Sequence, residues 1–147
     1  MVFYKGKIKE AIIKDHEVYI YGLFNTQMIL GDDKVVLIGG GKSKIVVGKE
    51  CFIYPMKKTI IIGLAYCSSI LSMGSRYAVL INHVVADKVY TKRTYIVELD
   101  ANHAVLGELS IIERFKAIGN TIFTDPHLYI KDIFKISKVY YAYKIID

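Results

Sequence analysis

The chain has 147 residues, of which 53% are hydrophobic and 23% are charged. This length suits a single domain over 1–147, and the apolar fraction excludes an intrinsically disordered protein, because enough apolar surface is present to offset the conformational entropy lost on folding. The net charge of +6 resides entirely in residues 1–99, since residues 100–147 carry equal numbers of basic and acidic side chains. Attraction to nucleic acid or another polyanion is therefore expected, if anywhere, in the first two thirds of the chain.

The first half of the chain predicts β-strands. Isoleucine, valine and tyrosine are abundant, and β-branched and aromatic residues favour pleated sheets. Polar or glycine-rich turns at 15–17, 31–33 and 39–41 separate apolar runs, a spacing typical of antiparallel hairpins. Residues 18–24 are apolar on both faces, which predicts a central strand. The strand–turn–strand units do not align at a fixed period, so we expect no internal repeat.

The middle of the chain continues this pattern. Residues 59–65 predict a buried strand, and a serine near position 68 is placed to begin a single helical turn that ends at Gly74. The longest uncharged run, 59–75, is shorter than the roughly 20 apolar residues that a transmembrane helix needs. We therefore expect no membrane span, and predict two more strands over 76–86 and 88–99.

Helix signals appear in the last third. Ser110 and Glu113 have the spacing of a capping box, which predicts a helix over 110–118. Asp125 followed by proline is typical of a helix start and predicts a second helix over 126–136. Alternating tyrosines predict a final strand over 139–146. The predicted fold is therefore α+β and β-dominated, a mostly antiparallel small barrel or sandwich with two or three short helices.

Residues 39–43 do not form a complete phosphate-binding motif. Residues 39–43, Gly-Gly-Gly-Lys-Ser, share the end of a phosphate-binding loop. The required glycine five positions before Gly41 is replaced by Val36, and β-branched residues follow where a helix is needed. We interpret this segment as a hairpin turn.

The histidines and cysteines give weak signals. The four histidines lack metal-binding spacing, so we predict no metal and no cofactor; they are His16, His83, His103 and His127. His83 lies on an apolar stripe, which favours a hydrogen-bonded core residue. Cysteines 51 and 67 in apolar surroundings are more often free thiols than a bridge, which favours a reducing, cytoplasmic location, although their pairing is left open.

A small hydrolase or transferase is the third functional hypothesis. Cys67 is the candidate nucleophile, at a position read as a strand-to-helix turn, where backbone amides lower a thiol pKa. His127 is the candidate base, with Asp125 or Asp100 as a carboxylate partner. No flanking motif supports this hypothesis, so enzymatic activity is left open and a non-enzymatic protein is favoured.

Nucleic-acid binding is the second hypothesis. A positively charged sheet with stacked aromatic side chains binds single-stranded nucleic acid, and tyrosines accompany the lysines in residues 1–95. The candidate basic residues are Lys5, Lys7, Lys9, Lys42, Lys44, Lys57, Lys58, Lys92 and Arg93. The alternative is that the lysines are solvated and that the tyrosines fill the core.

The leading hypothesis is a non-enzymatic binding or assembly module that forms a homo-oligomer. The segment containing Tyr140, Tyr141 and Tyr143 is apolar on both faces. Such a strand is either central in its sheet or pairs with another copy of the chain. These tyrosines are therefore the candidate interface. The excess of isoleucine, tyrosine and lysine is also compatible with a thermophilic source.

Overall fold

The computed structural model describes residues 1–143, and every regular element in that range is a β-strand. The strands are β1 (Val2–Ile8), β2 (Ile12–Tyr54), β3 (Ile60–Met73), β4 (Val79–Lys92), β5 (Thr94–Leu106), β6 (Ile111–Phe123) and β7 (Tyr129–Tyr141). They form one sheet in chain order, and every neighbouring pair is parallel. Within these residues, no helix has the length and apolar character needed to cross a membrane.

The register shows that the chain makes one full coil between paired residues. Ile60 pairs with Val79, 19 positions later, and Val79 pairs with Thr94, 15 positions later. Ile111 pairs with Tyr129, 18 positions later. The chain is therefore a parallel β-solenoid, in which each coil lies directly on the one before it.

Each coil has three flat sides. In β3 the buried residues come in pairs, one pair for each side: 60 and 62, 65 and 67, 70 and 72. Within a pair, one outward residue separates the two buried residues. Between pairs, two outward residues follow each other, and the chain turns at these corners. We name residues 59–63, 64–68 and 69–73, with their equivalents in other coils, the first, second and third sides. The turn between coils, at 55–58, 74–78, 107–110 and equivalents, is the turn corner.

The core consists of inward side chains stacked from coil to coil. One column contains Ala65, Val84, Leu99 and Phe115, all fully buried and in consecutive register. Burying an aliphatic or aromatic side chain of this kind contributes about 1.5–3 kcal/mol. These contacts repeat from coil to coil as far as Phe115, whereas Ile133, the next residue in the column, is 51% exposed in the last coil.

Backbone conformation at the turn corner requires glycine. Gly22 and Gly39 both have positive φ, and a Cβ added to Gly39 would overlap the carbonyl oxygen of Gly22 in the coil below. The amides of Lys57 and Lys58 in turn donate to the Gly39 carbonyl at 2.9 and 3.2 Å. Successive coils therefore approach one another here through backbone alone.

The predicted antiparallel α+β fold is wrong, although the β-rich composition was interpreted correctly. The predicted helix at 110–118 lies in β6, and the one at 126–136 lies mostly in β7. The predicted turn of helix near 68–74 belongs to β3. Strands at solenoid corners bury residues three positions apart, as at Ile112 and Phe115. That interval imitates helical periodicity.

The helix-capping signals have other partners in the structure. The Ser110 hydroxyl is buried and lies 2.8 Å from the hydroxyl of Thr91 in the coil before it. The Glu113 carboxylate accepts a hydrogen bond from the Tyr95 hydroxyl. Both side chains thus join neighbouring coils, and neither begins a helix. The predicted final strand continued to residue 146, but 144–146 lie outside the described residues.

Cys51 and Cys67 form a disulfide, with their Cα atoms 6.5 Å apart and both residues 4% exposed. The expectation of free thiols is therefore wrong. The bond joins inward positions on consecutive coils. The cytoplasmic location was predicted from free thiols, whereas disulfides are typical of oxidising surroundings. That location stays a prediction.

Candidate functional site

An unbroken row of apolar side chains faces outward on the third side. Consecutive register pairs stack its six members, which we name the apolar ladder: Phe52, Leu71, Tyr90, Val105, Ile122 and Tyr140. Leu71 is 38% exposed and Tyr140 is 51% exposed. Since strands in a sheet lie about 4.8 Å apart, the ladder is roughly 24 Å long.

A shallow groove of about 500 Å³ follows the first part of this ladder, between Val36 and Val105. One flank of the groove carries a polar row in register, consisting of Glu50, Ser69, Lys88 and His103. Asn120 and Lys138 continue the row on β6 and β7. The third side is therefore an apolar strip with a charged margin.

The second side carries a cluster of ionisable groups. His83 pairs in register with Glu98, and Val85 pairs with Asp100, so the three polar side chains leave the sheet close together. The His83 Nε2 lies 3.0 Å from an Asp100 carboxylate oxygen, and an Arg114 guanidinium nitrogen lies 3.8 Å from Glu98. His83 is thus hydrogen-bonded as predicted, but its side chain is 34% exposed and faces outward, so its placement in the core is wrong.

The predicted basic residues do not form one surface. Lys5, Lys7 and Lys9 are exposed in the first coil, while Lys42 and Lys44 are exposed on the first side. Lys57, Lys58, Lys92 and Arg93 lie at or beside the turn corner, where Arg76 is also placed. Lys92 and Arg93 both contact Glu108, at 3.4 and 3.8 Å. Free positive charge at this corner is therefore concentrated near residues 57, 58 and 76.

The predicted catalytic residues are separated. Cys67 is bonded to Cys51 inside the core, whereas His127 lies 77% exposed at the turn corner of the last coil. His127 contacts Asp125 at 3.0 Å, and its backbone amide also donates to that carboxylate, which lowers the pKa of Asp125 below its usual value. Asp100 is next to His83 instead. The predicted nucleophile, Cys67, therefore contacts neither His83–Asp100 nor His127–Asp125.

The predicted interface tyrosines differ in direction. Tyr140 belongs to the apolar ladder and faces outward. Tyr141 packs against Phe123 with the rings tilted by 39° and their centroids 5.5 Å apart, and Tyr143 meets Tyr141 edge-on at 5.8 Å. Only Tyr140 therefore shares a face with the rest of the ladder.

Comparison of the chain with family models finds no match. Curated proteins and solved structures give no match either. The candidate sites consequently rest on this chain's own geometry. Sequence reasoning missed most of the ladder, and the signal that marks it is the glycine spacing: Gly6, Gly22 and Gly39 are 16 and 17 positions apart, one coil each.

Proposed function

We propose that the chain is a non-enzymatic assembly module that self-associates through the apolar ladder. The observation that supports this proposal is the continuity of the row across six coils. Single exposed apolar residues are normal on protein surfaces, but a contiguous apolar strip with a polar margin is typical of a binding surface.

A second copy of the chain fits this strip when the two solenoids pack face to face with their axes antiparallel. A two-fold axis between the coils of Tyr90 and Val105 places these two side chains opposite each other across the interface. The same operation places Leu71 opposite Ile122 of the second copy, and Phe52 opposite its Tyr140. Every ladder position then meets an apolar partner, as an isologous dimer requires.

Charges on the margin favour the same arrangement. The antiparallel two-fold places Glu50 opposite Lys138 of the second copy and Lys88 opposite its His103. With the solenoid axes parallel, Lys88 would instead face Lys92 of the second copy. Like charges placed opposite each other disfavour that alternative, so the antiparallel dimer is the one we propose.

The size of the strip sets the expected affinity. A strip roughly 24 Å long and five residues wide, at ~3.3 Å per residue, covers about 400 Å² of each copy. The total of about 800–1,000 Å² is at the lower end of specific interfaces. We therefore expect a dimer that dissociates on dilution in the micromolar range.

Sedimentation velocity between 1 and 200 µM tests the proposal. Leu71→Asp puts a charge in the centre of the ladder, and we expect it to weaken dimerisation at least tenfold. Ile61→Asp is the matched control, because Ile61 also faces outward, on the first side, and is more exposed at 48%. A wild-type chain that stays monomeric throughout contradicts self-association, and equal loss in both variants contradicts its assignment to this face.

A charge exchange tests the orientation. Glu50→Arg should weaken the dimer, because an arginine then faces Lys138 of the second copy. Adding Lys138→Glu should restore it, since the pair is again of opposite charge. Failure of the double variant to recover would exclude the antiparallel arrangement.

Nucleic-acid binding is a second candidate, favoured by the placement of Lys57, Lys58 and Arg76 at the turn corners between β2, β3 and β4. Fluorescence anisotropy with single-stranded DNA should show binding that weakens steeply between 50 and 200 mM salt. Replacing Lys57 and Lys58 by alanine should abolish it, whereas replacing Lys5 and Lys7 should not. Absence of binding at 50 mM salt would eliminate this candidate.

A further inference from the structure

We propose that the second side binds a divalent transition-metal ion, of the zinc or manganese class, through His83, Glu98 and Asp100. One ligand atom from each of these residues lies within 4.8 Å of the other two. Two ligands of one tetrahedral ion, each at about 2.1 Å, lie about 3.4 Å apart. Donor atoms at the 4.8 Å limit therefore need to close by up to about 1.4 Å, which a rotation of the partly exposed Glu98 side chain can supply.

The backbone holds these ligands in place. His83 and Glu98 are register partners on β4 and β5, and Asp100 is two positions beyond Glu98 on the same face. Side chains two apart on a strand point the same way, so Glu98 and Asp100 form one edge of a triangle and His83 its apex. A bound ion would join two coils through strands whose spacing is fixed by the sheet.

The ligand set selects the class of ion. One imidazole nitrogen with two carboxylates suits zinc, manganese or iron(II), whereas magnesium and calcium prefer oxygen ligands alone. The side chains of Glu98 and Asp100 are 44% and 37% exposed, so water would complete the coordination. The expected site is accordingly a surface site of moderate affinity.

Arg114 opposes the ion in the present arrangement. Its guanidinium lies 3.8 Å from Glu98, in the coil above, and Lys116 is the register partner of Asp100. Both cations raise the local positive potential and compete for the carboxylates. Removing the charge of Arg114 should therefore tighten metal binding at this cluster and leave binding at the separate His127–Asp125 pair unchanged.

The chain contains its own matched control. His127 and Asp125 form a His–Asp pair with the same 3.0 Å separation as His83 and Asp100. Among residues 1–143, only the cluster at His83 brings a third metal-ligating group into range. A third His–Asp pair, His16 and Asp32, lies at 3.3 Å. A metal that merely prefers His–Asp pairs would use all three places, whereas the proposed site needs Glu98.

Isothermal titration of the tag-free chain with zinc chloride, and separately with manganese chloride, tests the proposal. We expect one ion per chain, at least tenfold weaker binding in His83→Ala and in Glu98→Gln, and unchanged binding in His127→Ala. Arg114→Gln should bind at least threefold more tightly. All four positions face outward, and a thermal melt of each metal-free variant verifies the fold.

Absence of saturable binding by the folded wild-type chain would overturn the proposal. Equal losses in His83→Ala and His127→Ala would do the same, because they indicate adventitious histidine binding. A loss confined to His83→Ala, with Glu98→Gln unchanged, would also overturn it, since the three-ligand site is then not the one occupied.

Discussion

Substitution of Gly39 by alanine tests the stacking of coils directly. Gly39 has φ +139°, a conformation that L side chains rarely adopt, and its added Cβ would meet the backbone of Gly22. Gly6→Ala is the matched control, because Gly6 also has positive φ, at +90°, yet nothing lies within 4 Å of its added Cβ. The two variants therefore share backbone strain but differ in the clash between coils.

The magnitudes separate the two effects. Positive φ costs a residue with a Cβ about 1–3 kcal/mol, and both variants incur this cost. In Gly39→Ala the coils must also separate by about 1 Å to relieve the overlap with the Gly22 carbonyl. Because Gly39 must move away from Gly22, it also distorts the hydrogen bonds that its carbonyl accepts on the other side from the amides of Lys57 and Lys58, each contributing about 0.5–1.5 kcal/mol. We expect Gly39→Ala to lose at least about 2 kcal/mol more than Gly6→Ala.

Urea unfolding followed by far-UV circular dichroism measures the difference, and tyrosine fluorescence gives a second probe because the chain has no tryptophan. Repeat folds unfold in segments when neighbouring coils uncouple, so coincidence of the two probes should be verified before free energies are compared. Equal stability of the two variants would refute the parallel stacking of Gly39 on Gly22. An antiparallel hairpin at residues 39–41 would give that result.

Three further predictions concern the core, the disulfide and the hydrogen bond between Tyr95 and Glu113. Leu99→Ala should cost about 2–5 kcal/mol in urea unfolding, because Leu99 is fully buried between coils; a loss under 1 kcal/mol would contradict its place in the column. Reduction of the Cys51–Cys67 bond, whose cysteines are 16 positions apart, should lower stability by about 3 kcal/mol, and a Cys51→Ser/Cys67→Ser variant should not respond to reductant. The hydrogen bond to Glu113 raises the pKa of Tyr95 above its ordinary value near 10, so its stabilisation is complete below pH 10 and is lost as the pH rises through the raised value. Tyr95→Phe should therefore reduce the fall in melting temperature between pH 9 and pH 12, and an identical profile in the variant would contradict this assignment.

Composition was sufficient to predict the β content, but not the connectivity of the strands. Isoleucine, valine and tyrosine favour sheets whether neighbouring strands are parallel or antiparallel, and glycine-rich turns serve both. The decisive information is the repeat, and coil lengths that vary between 15 and 19 positions obscure it. The glycines at 6, 22 and 39 keep the period for only the first coils. At the later turns Arg93 and Leu109 take positive φ without glycine, so the marker disappears from the sequence.

The helix predictions failed for a reason specific to corners. Within one side, inward residues alternate, but across a corner the interval is three, so β3 buries positions 62 and 65 at one corner and 67 and 70 at the next, and β6 buries 112 and 115. Over ten residues this pattern matches an amphipathic helix as well as it matches a solenoid. Only the neighbouring coil distinguishes the two structures, because the hydrogen-bond partners of Ser110 and Glu113, which are Thr91 and Tyr95, lie there.

The outward columns carry the functional information, since the core leaves their composition free. On the second side the register runs from Ile45 to Leu64, then to His83, Glu98 and Arg114. The same geometric column thus changes from apolar to ionisable within one step, although the inward column beside it stays apolar throughout. Packing does not require this change from apolar to ionisable side chains, because the apolar and the ionisable members of the column both face outward. The proposed metal ligands were not detected by spacing rules because positions 83 and 98 are 15 apart, one coil, whereas those rules describe ligands on one helix turn or one hairpin. In a solenoid the interval to search is the coil itself, and at that interval His83, Glu98 and Arg114 become neighbours.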